Sequence, residues 1–129
     1  MRILLDTHYW LWMATGDRRV SPAMREALES RRNDVFVSAA SIWETAIKYR
    51  LGKLALPLPP HVYAPTMLAR AGFQSLAITT AHAAAVAALP DLHRDPFDRL
   101  LVAQALAEDL TLATADPVVR SYAVACLVI

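Results

Sequence analysis

The chain has 129 residues, long enough for a substantial core, and its 56% hydrophobic against 19% charged content excludes a disordered chain. Three glycines build no glycine-rich phosphate loop (neither GxGxxG nor GxxxxGKS/T occurs), and one cysteine excludes an internal disulfide and a cysteine-type zinc site. Thirteen basic and twelve acidic residues give a net charge of +1, which neither demands nor excludes a nucleic-acid partner; acids gathered in one pocket would leave the remaining surface more basic than that total.

Arg2 to Asp6 reads as a first strand, a short apolar run ending in a carboxylate, followed by a helix from Thr7 to Ala14 carrying Tyr9, Trp10 and Trp12. Ser21-Pro22 starts a helix that runs to about Arg31, with Ser21 as cap and Pro22 at the first helical position. Val35 to Val37 is a second buried strand, and Ser38 to Leu51 a helix closed by Gly52. Pro57, Pro59 and Pro60 mark a connection to a helix over His61 to Ala71. Phe73 to Ile78 is the third strand, and Thr80 to Ala88 an alanine-rich helix stopped before Pro90. Asp95-Pro96 opens a helix reaching about Asp109, Thr111 to Thr114 is the fourth strand, Asp116-Pro117 opens a short helix, and Val124 to Ile129 is the last strand. Strands that are apolar throughout and alternate with helices predict a parallel sheet covered on both faces, in a single domain over residues 1–129. Cys126, inside an apolar run, is expected to be a buried small hydrophobe. No apolar run is long enough to cross a membrane, and the N-terminus passes from one arginine into a strand without the pattern of a signal peptide, so a cytoplasmic location is expected.

Four acids stand at structural transitions: Asp6 and Asp116 just beyond strand ends, Asp98 in a helix first turn, and Glu44 about two turns into its helix. Ligands of open α/β sheets bind beyond the carboxyl ends of the strands, where helix first turns also lie, so the four acids can converge. Together they repel, and a divalent cation among them is the simplest remedy; oxygen ligands without His or Cys suit Mg²⁺ or Mn²⁺. Each acid also has a structural reading. Asp6, Asp95 and Asp116 fit helix caps, Asp98 fits the third position of a capped helix, and Glu44 with Lys48 fits an ordinary i,i+4 pair. Thr7 and Thr114 are expected to bond a carboxylate or a metal-held water. His8, His61, His82 and His93 form no metal motif; His8 and His93 fall near acids, where either could touch substrate, but a structural or surface role is expected of each. Tyr9, Trp10, Trp12 and Trp43 are expected in the core or on a dimer face rather than stacked on bases.

Leu4-Leu5-Asp6-Thr7, Ser41-Ile42-Trp43-Glu44, Asp98 followed by Ala103 and Ala105, and Leu112-Ala113-Thr114-Ala115-Asp116 resemble, in this order, the motifs of PIN-domain ribonucleases. Tyr49-Arg50-Leu51-Gly52-Lys53-Leu54 and His93-Arg94-Asp95-Pro96-Phe97-Asp98-Arg99 resemble the VapC-type toxins within that family. The resemblance covers almost the whole chain. It implies a PIN-like three-layer sandwich with a central parallel sheet, and Mg²⁺- or Mn²⁺-dependent hydrolysis of RNA by metal-activated water. Asp6, Glu44, Asp98 and Asp116 would be the acidic site: Asp6, Asp98 and Asp116 for the metal, Glu44 for the nucleophile. Asp95 is an additional acid competing with Asp98 for the closer position. Lys48, Arg50, Lys53 and Arg99 are candidates to neutralise flanking phosphates. An antitoxin that blocks the site, and a homodimer, are implied in the same way.

Three other readings compete. A phospho-receiver domain needs an acidic pair at the first strand end and a late lysine, but Thr7 follows Asp6 and no lysine follows Lys53. A haloacid-dehalogenase-like phosphatase needs Asp-x-Asp where this chain has Asp6-Thr7-His8. A catalytically inactive PIN-like binding module differs only in what it does to RNA.

Overall fold

Ile3, Leu4 and Leu5 are consecutive and all fully buried, which requires a strand covered on both faces. A computed structural model describes residues 1–129 and shows that strand, β1 (Arg2–Leu5), at the centre of a five-stranded sheet. The others are β2 (Asp34–Ser38), β3 (Gln74–Leu76), β4 (Thr111–Ala113) and β5 (Cys126–Leu127), all parallel, in the order β3-β2-β1-β4-β5. The helices are α1 (Thr7–Thr15), α2 (Pro22–Glu29), α3 (Ala39–Arg50), α4 (Pro60–Ala71), α5 (Thr80–Ala85) with a 3₁₀ turn at Val86–Ala88, α6 (Pro96–Glu108) and α7 (Pro117–Arg120).

Alternate side chains of the strands feed two cores, making a three-layer sandwich. Ile3, Leu5, Val35, Val37 and Ala113 pack with Tyr9 and Trp10 of α1, Met24 and Leu28 of α2, and Tyr63 of α4. Leu4 and Leu112 face the other way, onto Leu101, Val102 and Ala105 of α6 and Val119 of α7. The chain lays β2 and β3 on one side of β1 and then β4 and β5 on the other, so the strand order reverses between β1 and β4. The crevice beyond their carboxyl ends is where ligands of open α/β sheets bind.

Six helices start on a side-chain cap. Asp6, Ser21, Ser38, Thr79, Asp95 and Asp116 each accept a hydrogen bond from a first-turn backbone N–H. A cap of this kind contributes roughly 1 kcal/mol and fixes where the helix begins. At the end of α6, Asp109 takes a left-handed conformation (φ 53°) and passes the chain into Leu110 and β4. Gly52 sits at φ 73° where the chain leaves α3, the sterically free residue the stop requires.

A buried polar chain ties the layers together beneath the crevice. Ser38 donates to Gln104 of α6, whose amide reaches the Ala77 carbonyl at 3.3 Å. His82 Nδ1 accepts from Thr79 N–H at 3.1 Å, leaving its Nε2 proton for Glu108 at 2.7 Å. Gln104→Leu keeps the volume and strands these partners in the core. Urea unfolding is expected to show a loss of about 2 kcal/mol, from unpaired buried groups and not from cavity volume.

Strands are shorter than their apolar runs. The third covers Gln74–Leu76 within the expected Phe73 to Ile78, and the last covers Cys126–Leu127, with Val128 and Ile129 exposed. Cys126 is only partly buried, contrary to expectation, because β5 is an edge strand. Of the two places expected for Trp43, the core is excluded: it is 59% exposed and meets Phe97 edge-on at 5.1 Å. No helix is long and apolar enough to cross a membrane.

Candidate active site

β1 and β4 end side by side, with Leu5 paired to Ala113, and Asp6 N–H extends the ladder by donating to the Ala113 carbonyl at 3.0 Å. That bond fixes the Asp6 backbone at the strand end. Its side chain turns back to cap α1, accepting from Tyr9 N–H at 2.8 Å, and is 3% exposed. Burial raises the Asp6 pKa, against the Tyr9 N–H, the Thr114 hydroxyl and the His8 charge, which favour the ionised form.

Asp116 leaves β4 by the same logic. It caps α7 through Val118 N–H at 2.8 Å, and its own N–H donates to Thr114 Oγ at 3.1 Å. Asp98 projects from the first turn of α6, and Glu44, 8% exposed, from the second turn of α3. Asp98 carries the largest electrostatic strain in the crevice. Burial first, then the charge of Asp95, then Asp6 and Glu44, push its pKa up to about 7 against the opposing pull of His93. The charges of Asp6 and Glu44 are felt at Asp98, and that of Asp116 at Asp6, so the four acids share the crevice, although only Asp98 and Asp116 among them, with His93, come within ligand distance of one another.

His93 bridges two of them. Its Nε2 lies 2.9 Å from Asp116 Oδ2 and 3.2 Å from Asp98 Oδ2. The Asp116 hydrogen bond, with the Asp98, Asp116 and Asp95 charges, raises the His93 pKa against its desolvation. In return, His93 and the Val118 N–H outweigh the burial of Asp116 and hold that carboxyl below its usual range. Ligand atoms of His93, Asp98 and Asp116 all lie within 4.8 Å of one another, a spacing that admits one cation. The donors fit a hard divalent ion: carboxylate oxygens predominate, and a cation would relieve the burial and repulsion that raise Asp98.

The model of the PIN domain family matches residues 3–125. The chain belongs to the PIN-domain family. Among curated proteins, this PIN domain is 30% identical over 121 residues to Ribonuclease VapC22 of Mycobacterium tuberculosis, covering 93% of the chain and 91% of that protein. It is 45% identical to Ribonuclease VapC16 of the same organism over 60 residues, 46% of the chain and 43% of that protein. Two solved structures share the PIN fold at low identity. VapBC2 from Rickettsia felis, bound to a DNA fragment from its promoter, superposes with TM-score 0.73 at 17% identity, covering 99% of this chain and 98% of that one. VapBC-1 from nontypeable Haemophilus influenzae gives TM-score 0.59 at 14% identity over 90% and 87%.

Some expected site residues of this PIN domain do something else. Asp95 caps α6 through Phe97 N–H at 2.9 Å, and Asp98, not Asp95, reaches the His93 and Asp116 cluster. Thr7 does not face a carboxylate; its hydroxyl donates to Ser41 Oγ at 3.0 Å and pins α1 to α3. Lys48 pairs with Glu44 at 3.1 Å. Arg99 is corrected from phosphate neutraliser to structural residue. Its side chain is 15% exposed, and the guanidinium donates to the Pro90 carbonyl at 2.8 Å, the Val86 carbonyl at 3.2 Å and Tyr122 Oη at 3.1 Å. Turning it toward solvent phosphate would break all three bonds. His93 was noted in the sequence for its place near acids but was expected in a structural or surface role; its place between Asp98 and Asp116 was not foreseen.

Proposed function

We propose that this chain is a metal-dependent endoribonuclease that hydrolyses RNA phosphodiester bonds, and the toxin of a toxin–antitoxin pair. One observation carries the reading. Asp6, Glu44, Asp98 and Asp116 gather at the switch point of the sheet, with Asp98 raised to about 7 by burial first and then by its acidic neighbours. A fold rarely keeps such repulsion unless the site takes up a cation. The ribonuclease names of the VapC relatives and the VapBC structural neighbours support the same reading.

Asp6, Asp98 and Asp116 would hold Mg²⁺ or Mn²⁺. Bound there, the ion supplies charge that polarises a phosphoryl oxygen and lowers the pKa of water. Glu44, buried beside the cluster, accepts a hydrogen bond from the attacking water and orients it in line with the departing oxygen. Attack forms a new P–O bond as the old one breaks, leaving one phosphate end and one hydroxyl end. Thr114 steadies Asp6 and the Asp116 backbone, and Lys48, paired with Glu44 at 3.1 Å, keeps that carboxylate aimed.

An apolar groove between α3 and α4, lined by Ile42, Trp43, Ala46, Ala64 and Leu68, supports a protein partner, either the antitoxin or a second copy of the chain. The reading places the protein in the cytoplasm, with RNA.

The test is cleavage of total RNA by purified protein with and without Mg²⁺ or Mn²⁺, beside Asp6→Asn. Metal-dependent cuts that vanish in the variant are expected. Folded protein that binds Mn²⁺ but cuts no RNA would instead be an inactive PIN-like binding module.

A further inference from the structure

His93 is built into the site from both ends. Its backbone N–H donates to Tyr122 Oη at 2.9 Å, and Tyr122 is held in turn by Arg99, which also grips the carbonyls of Val86 and Pro90. Its ring Nδ1 accepts from Asp95 N–H at 3.0 Å. A ring nitrogen that accepts carries no proton, so the neutral imidazole keeps its proton on Nε2, the atom aimed at the two carboxylates. To ligate a cation, Nε2 would have to give up that proton to Nδ1, where it would face the Asp95 N–H. Asp116 uses Oδ1 for Val118 N–H and Oδ2 for His93; Asp98 meets His93 through Oδ2, and its Oδ1 has no hydrogen bond.

From this geometry we infer that His93 is a positioning residue: its Nε2–H, donated to Asp116 Oδ2 with Asp98 Oδ2 3.2 Å from the same nitrogen, holds the two carboxylates at cation-binding spacing, and it does not itself ligate the cation. The inference rests on the nuclease reading of this site for its purpose, but not for its test. Removing the ring frees two like charges to swing apart. Their remaining oxygens then have to be brought together when the cation binds. The side chain of Gln reaches as far and presents an N–H, so it restores the bridge without an imidazole. The arrangement also gives Arg99 and Tyr122 their task, which is to anchor the segment that carries the ring.

Two measurements test this. Nitrogen-15 NMR of the histidine rings, with His93 assigned by its loss in His93→Gln, is expected to show a proton on His93 Nε2 before and after Mg²⁺ is added. Loss of the Nε2 proton on adding Mg²⁺ would make His93 a ligand and overturn the inference; so would a ring protonated on Nδ1 and not on Nε2 in the free protein. Calorimetric Mn²⁺ titration is expected to show His93→Ala weaker than wild type by about tenfold and His93→Gln within about threefold. Wild-type Mn²⁺ affinity in His93→Ala overturns the inference, as does an equal loss in both variants, or no Mn²⁺ binding by wild type. Circular dichroism checks that the variants fold, and the NMR result on wild type stands without them. Protein that passes both measurements yet cuts no RNA would overturn the nuclease reading alone.

Discussion

Asp98→Asn is expected to lower the RNA-cleavage rate by at least about 100-fold while raising the stability of the metal-free protein. The two effects have one cause. The Asp98 carboxyl sits among Asp95, Asp6 and Glu44 in a largely desolvated crevice, and its pKa is pushed up to about 7 from an ordinary 3.8. The folded state therefore holds this proton more tightly than the unfolded chain. The stability this contributes is complete below about pH 4 and is lost as pH rises through 7. At pH 8 the carboxyl is ionised in both states and the repulsion is felt in full. Asn carries no charge, keeps an oxygen for the His93 Nε2–H, and should recover about 1–2 kcal/mol, or several degrees in Tm. The cation then loses one of its carboxylates. Near-wild-type hydrolysis, or a lower melting temperature without metal, would remove Asp98 from the site.

Mn²⁺ affinity is expected to fall about 100-fold from pH 8 to pH 5, by about tenfold per unit below pH 7 and little above it. The cation needs the Asp98 carboxylate ionised, so below its pKa of about 7 each bound ion must displace a proton. The groups facing Asp98 are Asp95, Asp6, Glu44 and His93, and His93 is itself raised by the carboxylates around it. The midpoint therefore belongs to the cluster and not to one residue. Asp116, held below the usual carboxylate range, adds little in this window, whereas Asp6, raised by burial, titrates as part of the cluster. Calorimetry in two buffers of different ionisation enthalpy should count about one proton released per ion near pH 6 and nearly none at pH 8. A flat affinity from pH 5 to pH 8 would mean that the cation does not contact Asp98.

Much of the fold was legible because its signals are local. Leu-Leu-Asp at the end of an apolar run, Ser21-Pro22, Asp95-Pro96 and Asp116-Pro117 set strand ends and helix starts with side chains a few residues away, and each acts there as the sequence indicated. Strand lengths were less legible. An apolar run tells which residues seek the core, but only the neighbouring strand decides how many of them find a ladder. Hence Val128 and Ile129 hang beyond the edge strand β5. Trp43 went the same way: its helix is apolar nearly all round, and sequence alone does not say which side the sheet covers.

The sequence by itself determined the chemistry on offer. It supplied three carboxylates at the ends of strands and starts of helices and a fourth, Glu44, in the second turn of a helix, with no nucleophile motif, no phosphate loop and no cysteine metal site. It also determined, through caps worth about 1 kcal/mol each, where those carboxylates leave the backbone. The tertiary structure decided how they meet. The reversal of strand order between β1 and β4 brings Asp6 beside Asp116, and the packing of α6 on that crevice brings Asp98 into their field. It also decided that Asp95 is a cap, that Arg99 is spent on carbonyls, and that His93 stands between two acids 5 and 23 residues away in the chain. Pairings of this kind are set by burial and by competition among partners distant in sequence, and no local pattern of residues encodes them.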